Sequence, residues 1–211
     1  MASAPPEAAP RRVVAVFDFD GTISHRDTLA PFLVRLVGRG LVAAAFAREA
    51  GAVALWLAGR TDVDTVKRRL IRHAVTGVPA SHGESEGRRH AEALERGLRP
   101  AALARIRWHR EQGHLLVLAS AGLDLYLEPL GRKLGFDHVL CSRLAVQERG
   151  QFTGELDGPD CTGVEKLHRL RALVGDLDAV ELHVYGDSAG DAALLGAATH
   201  AHWKPFRRGT P

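Results

Sequence analysis

The sequence predicts an α/β fold: a doubly wound parallel-sheet core with an all-helical cap inserted after the first strand. Three observations point there. Short apolar runs, led by VVAVF at 13–17, recur along the 211-residue chain with helical patterns between them. Consecutive apolar positions mark strands buried on both faces of a parallel sheet. The alternation breaks once, from about residue 24 to 98, where four helical patterns follow one another without a strand. Finally, three apolar runs end on small and acidic residues, DFDGT at 18–22, SAG at 120–122 and GDSAGD at 186–191. Ligands of doubly wound sheets bind beyond the carboxyl ends of the strands.

Taken in order, 13–19 is the first core strand. Apolar positions at helical spacing cover 29–37, 41–57, 63–75 and 85–98, divided by GRG, GRTD and TGVP. Residues 100–112 form a helix stopped by Gly113, and 115–119 the second core strand. Residues 123–134 form a helix bent by Pro129. The runs 139–146 and 151–156, joined by ERG, read as a hairpin. A helix starts near 161, with Thr162 and Glu165 at capping-box spacing. The third core strand is 182–185, followed by a helix at 188–197 and a last strand at 199–203. The expected organisation is a disordered leader at 1–12, a core at 13–23 and 99–206, a cap at 24–98 and a tail at 207–211. WKPFRRGTP at the C-terminus reads as frayed.

Composition bounds the function. The chain is 45% hydrophobic and 25% charged, with net charge +3, well short of the clustered excess of a nucleic-acid binder. The Arg-rich stretch 96–110 reads as a solvated face of an amphipathic helix. The apolar stretch 41–59 carries Arg48 and Glu49 at its middle, so no membrane span is expected there. Two cysteines, Cys141 and Cys161, are too few for a disulfide framework, and a cytoplasmic, reducing setting is expected. The eleven histidines form no recognisable metal pattern. Of 28 basic residues only Lys67, Lys133, Lys166 and Lys204 are lysines, so a retained Lys hints at a task that Arg cannot perform.

The strand ends carry the chemistry. Asp18, Asp20, Asp187 and Asp191 gather in one crevice with Ser120, and such carboxylates repel each other without a cation. An all-oxygen set with no thiol or imidazole suits Mg²⁺, which often completes its shell with phosphate oxygens. Gly21, Gly122 and Gly190 let backbone N–H groups approach a small anion, and Lys166 supplies a point charge for phosphate. Blander readings stand beside these: a strand-end turn for Asp18 and Asp20, a helix cap for Ser120 and for Asp191. Lys166 falls in a first helical turn, an unfavourable place for a cation, which favours a task for it.

In that order, Asp18-Phe-Asp-Gly-Thr22, Ser120, Lys166 and Gly186-Asp-Ser-Ala-Gly-Asp191 resemble the four motifs of the haloacid dehalogenase (HAD) superfamily, whose core is Rossmann-like. The helical insertion resembles its subfamily IB branch, which contains phosphoserine phosphatase and phosphatidylglycerophosphate phosphatases. The resemblance covers about residues 13–206, and the first and last motifs are specific together. It implies an Mg²⁺-dependent phosphomonoester hydrolase with Asp18 as nucleophile, forming an aspartyl-phosphate, and Asp20 as general acid and then base. Ser120 and Lys166 would hold the phosphoryl group, with Gly21, Thr22, Ala121 and Gly122 around it. Mg²⁺ would sit on Asp18, the Asp20 carbonyl and Asp187, with Asp191 a ligand or just outside. An acid at 20 points to phosphatase or mutase chemistry, and mutases usually pair with a different cap.

The substrate stays open between a small organic phosphate and a lipid phosphate. The apolar first half of the cap is either bundle core or a groove with peripheral membrane contact. His25 and Arg26 are specificity candidates. Phosphoserine phosphatases typically carry Ser in place of Gly21 and a Glu soon after, which this chain lacks, so phosphoserine is an alternative. A catalytically silent Mg²⁺- or phosphate-binding module is the competing class.

Overall fold

The computed structural model describes residues 11–207. Strand β1 (Arg12–Phe17) lies at the centre of a five-stranded sheet of order β3-β2-β1-β6-β7. The other strands are β2 (Leu115–Leu123), β3 (His138–Ser142), β6 (Val180–Gly186) and β7 (His200–Trp203), and every pairing is parallel. Because consecutive strands lie on opposite sides of β1, the crevice beyond its carboxyl end is a topological switch point.

The core strand runs alternate as the pleat requires. Ala15 and Phe17 pack with Ile106, Leu118 and Leu127, while Val14 and Val16 pack with Leu170, Leu182 and Leu194 on the other face. The helices covering those faces are α5 (Pro100–Glu111) and α6 (Asp124–Leu134) on one side, and α7 (Val164–Val174) and α8 (Ala192–Gly196) on the other.

Between β1 and α5 stand α1 (Leu29–Arg48), α2 (Ala50–Leu57), α3 (Val63–Val75) and α4 (Ala80–Glu95). The two chain crossings into this block are tied together. Ser24 bridges Leu98, and the Arg99 amide donates to the Ile23 carbonyl at 2.9 Å. At its other end the block meets a two-stranded antiparallel ribbon, β4 (Leu144–Val146) with β5 (Phe152–Leu156). Gly77 donates to the Phe152 carbonyl and Phe152 to that of Val78, each at 2.9 Å.

Several expectations need correction. The run 139–146 is not one hairpin arm: 138–142 joins the main sheet and only 144–146 pairs with β5. An apolar run reports burial, not its partner strand. The patterns at 29–37 and 41–57 redistribute into α1, kinked at Gly38 (φ +85°), and α2. Thr162 and Glu165 form no side-chain cap, since α7 starts after Gly163 (φ +54°) and Glu165 bonds Arg169 at 2.7 Å. The tail is not frayed through residue 207: Phe206 stacks on Tyr185 with ring centroids 5.5 Å apart, and Arg207 reaches Asp187. The leader and residues 208–211 otherwise lie outside the described residues, except that Arg12 already belongs to β1.

Among the described residues α1 is long and apolar enough to cross a membrane. Its kink, and the burial of Phe32, Leu33, Leu36, Val42 and Ala45, fit a helix packed in this domain. Both cysteines are buried free thiols, and burial pushes Cys161 up to about 11.

Candidate active site

Asp18 follows β1 directly, and its amide donates to the Tyr185 carbonyl at 2.8 Å, so sheet pairing fixes its backbone. The chain then turns through Phe19–Ile23. Gly21 has φ +78°, and a Cβ there would collide with the Asp187 carboxylate, so both conformation and space demand glycine. Thr22 Oγ1 lies 3.5 Å from Asp187 Oδ1. Ser24 Oγ donates to the Arg26 carbonyl at 2.6 Å and accepts from the Gly21 amide at 3.3 Å.

The two acids of the first loop face different surroundings. Asp18 Oδ1 accepts from Lys166 Nζ at 2.7 Å. Burial pushes its carboxyl up to about 6 against the pull of Lys166, with Asp191 and Asp187 adding to the rise. Asp20 Oδ1 accepts instead from the Thr28 hydroxyl at 2.7 Å, and Thr28 Oγ1 lies 3.3 Å from the Tyr126 hydroxyl. Burial pushes Asp20 up to about 8, Asp27 raises it further and the Thr28 bond opposes this. Two carboxyls two residues apart are thus driven toward different protonation states near neutral pH.

Lys166, 2% exposed, bridges Asp18 to Asp191, whose Oδ1 lies 2.6 Å from Nζ. Burial alone would lower the Lys166 ammonium, but Asp18 and Asp191 hold it above its ordinary range. The other Asp191 oxygen accepts from the amides of Asp187 and Ser188 and from the Ser188 hydroxyl, at 3.0–3.1 Å. Asp191 therefore closes the capping box of its own turn and also orients Lys166. Asp187 faces Thr22 with one oxygen and Arg207 with the other, the latter at 2.5 Å.

Ser120 is buried and its Oγ accepts from the Gly122 amide at 3.1 Å. It does not cap α6, which starts at Asp124. The pairing of β2 with β3 slips between Ala119 and Leu123, so 120–122 form a bulge at the crevice. One oxygen each of Asp18, Asp187 and Asp191 lies within 4.8 Å of the others. This all-carboxylate set, short of positive charge even with Lys166 bound, fits a hard cation such as Mg²⁺.

A cavity of about 360 Å³ has Asp18, Asp20, Ser120, Ala121, Gly122 and Lys166 on its core side, with Ser188 and Gly190 beside them. Asp27, Leu29, Asp64 and Lys67 line it from the helical side. His25 and Arg26 do not reach it. They are exposed and border a separate depression with Pro31, Leu94 and Gly97, because the Ser24 bonds and the Ser24–Leu98 bridge carry the chain away. The residue that sequence motifs overlooked is Lys67, on α3. Its Nζ donates to the Ala121 carbonyl at 2.5 Å and to both oxygens of Asp160 at 2.8 Å. The scarcity of lysine was the available signal. The fold also gathers Glu181, His183 and His200 across β6 and β7, a grouping invisible in the linear order.

The haloacid dehalogenase-like hydrolase family matches residues 15–196. The chain belongs to this family. The hydrolase is 31% identical over 207 residues to the protein CicA of Caulobacter vibrioides, covering 92% of this chain and 87% of that one. It is 28% identical over 206 residues to a probable phosphatase of Mycobacterium tuberculosis, covering 93% and 70% of the two chains. The structure of a substrate-bound phosphoserine phosphatase shares its fold, with TM-score 0.61 at 19% identity over 90% of this hydrolase and 84% of that chain.

Proposed function

We propose that the hydrolase cleaves phosphomonoesters through an aspartyl-phosphate on Asp18. The observation that carries this reading is the divided environment of the two first-loop acids. Asp18 sits on the Lys166 ammonium, poised as the carboxylate nucleophile, while Asp20 lies in surroundings that keep its proton at neutral pH. Asp18 attacks phosphorus, the bond from phosphorus to the ester oxygen breaks, and Asp20 gives its proton to that oxygen. Asp20 then takes a proton from water, whose oxygen attacks phosphorus and releases Asp18 and inorganic phosphate. Lys166, Ser120 and the amides of the 120–122 bulge hold the phosphoryl oxygens. Thr28 keeps the Asp20 carboxyl aimed into the cavity.

Asp18, Asp187 and the Asp20 carbonyl would hold Mg²⁺, and Asp191 orients Lys166 rather than binding first. When bound, the ion offsets carboxylate repulsion and withdraws charge from the phosphoryl oxygens. The hydrolase fold and the overall likeness to a phosphoserine phosphatase structure support the phosphoryl chemistry.

The test is phosphate release from a panel of aryl phosphate, phosphoserine, glycerol phosphates and phosphatidylglycerophosphate, with and without Mg²⁺. Asp18→Asn is expected to cut kcat by at least about 10³-fold while circular dichroism is unchanged. Release that survives Asp18→Asn would overturn the covalent reading, and no release from folded, metal-loaded protein would favour a silent binding module.

A further inference from the structure

We infer that the leaving group of the substrate is an apolar alcohol, seated in a cavity between α1, α2 and α3 that adjoins the phosphate crevice. This rests on the phosphomonoester reading above. The cavity encloses about 210 Å³ and shares Asp27, Leu29 and Lys67 with the crevice, so the two adjoin at these side chains. Beyond that junction its wall is apolar, built chiefly from Leu33, Phe46, Val53, Trp56 and Leu70. A pocket of this composition, joined to a few convergent polar groups, suits a ligand with one charged end and one greasy end.

Charge at the junction argues in the same direction. Among the described residues, lysines 67 and 166 are the only cations lining the two cavities, and both are committed to carboxylates. The three protons of Lys67 are matched by the Ala121 carbonyl and the two Asp160 oxygens. Asp160 is itself fixed by the Ser142 hydroxyl. The remaining charges on the helical side of the crevice, Asp27 and Asp64, are acids. A leaving group whose only charge is a carboxylate would meet repulsion there and no uncommitted cation.

Helix α2 buries only Ala52, while Leu55, Trp56 and Leu57 stay exposed, so these side chains are not bundle core. Of these, Trp56 also lines the cavity, so exposed apolar surface reaches its wall.

The experiment measures kcat/KM for monomeric n-alkyl phosphates from butyl to decyl, with phosphocholine and phosphoserine as short charged comparators. The expected result is a rise of up to about fourfold per added methylene until the cavity fills. Trp56→Glu and Phe46→Ser are each expected to lower the decyl-to-butyl ratio by at least about tenfold, a ratio independent of how much enzyme is active. Presenting decyl phosphate in phosphatidylcholine vesicles separates the sources. Faster turnover there assigns a membrane-borne alcohol, and faster turnover of monomers a free one; either upholds the inference. Equal kcat/KM along the series, or preference for phosphocholine or phosphoserine over butyl phosphate, overturns the apolar leaving group and leaves phosphomonoester hydrolysis standing. Release from no member, or release indifferent to Asp18→Asn, overturns the underlying reading instead.

Discussion

At the end of β1, Val14 to Phe17 and Phe19 are fully buried, and the acids set among them each have a partner, Lys166 for Asp18 and Thr28 for Asp20. On α2, equally apolar in sequence, only Ala52 is buried and Leu57 is 74% exposed. The same residue types thus serve two purposes. In the core, apolar packing on both faces of the sheet removes water from a few charged groups and shifts their protonation. In the helical block, apolar side chains left in water offer a surface to something else. The strand-end acids are held in buried packing, while the apolar side chains of α2 remain exposed.

Breaking the core side should have the largest effect. Lys166→Met leaves Asp18 and Asp191 buried beside each other without their shared cation. Urea denaturation should show a loss of about 3–5 kcal/mol, since removing one partner of a buried pair strands the other charge. Asp18→Asn in the same background should restore part of that loss, and additive losses would contradict the pairing.

The pH dependence of the metal-free protein comes next. The folded carboxyls of Asp20 and Asp18 lie near 8 and 6, above their unfolded values near 4. A carboxyl raised by folding favours the folded state while protonated, so stability present at acidic pH is lost as pH climbs through these values. Buried His109 and His202, pushed down to about 3 and about 4, oppose this over the same range, so the test is a difference: the Tm of the wild type should fall by about 10 °C relative to that of Asp20→Asn between pH 5 and pH 8. Parallel wild-type and Asp20→Asn profiles would contradict the burial of Asp20.

The smallest effect separates two glycines of nearly equal φ. Gly38, in the kink of α1, has open space around its missing Cβ, so Gly38→Ala should cost only backbone strain, about 1–2 kcal/mol. Gly21→Ala adds a collision with the Asp187 carboxylate and should also abolish phosphate release. Equal behaviour of the two variants would blur the contrast between core and cap.

Much of this was legible beforehand. Runs such as 13–17 and 115–119 must be strands because their apolar residues are continuous, and the polar residues closing the strands have to meet at the crevice once the strands are parallel. Strand partners were not legible: 138–142 and 144–146 read as one arm, yet they belong to different sheets. Nor was the fate of His25 and Arg26, which adjacency to the first loop placed near substrate but hydrogen bonds of Ser24 turn away.

By itself the sequence determined the α/β core, its helical insertion and the acids, hydroxyl and lysine at the strand ends, because apolar periodicity and short loop motifs are local properties of the chain. Only the tertiary structure decided that Lys67 closes the crevice on Asp160, that Arg207 returns to Asp187, and that an apolar cavity adjoins the crevice. Each of these depends on contacts between residues 20 or more positions apart, and burial, which sets both charge state and cavity shape, exists only once the chain is packed.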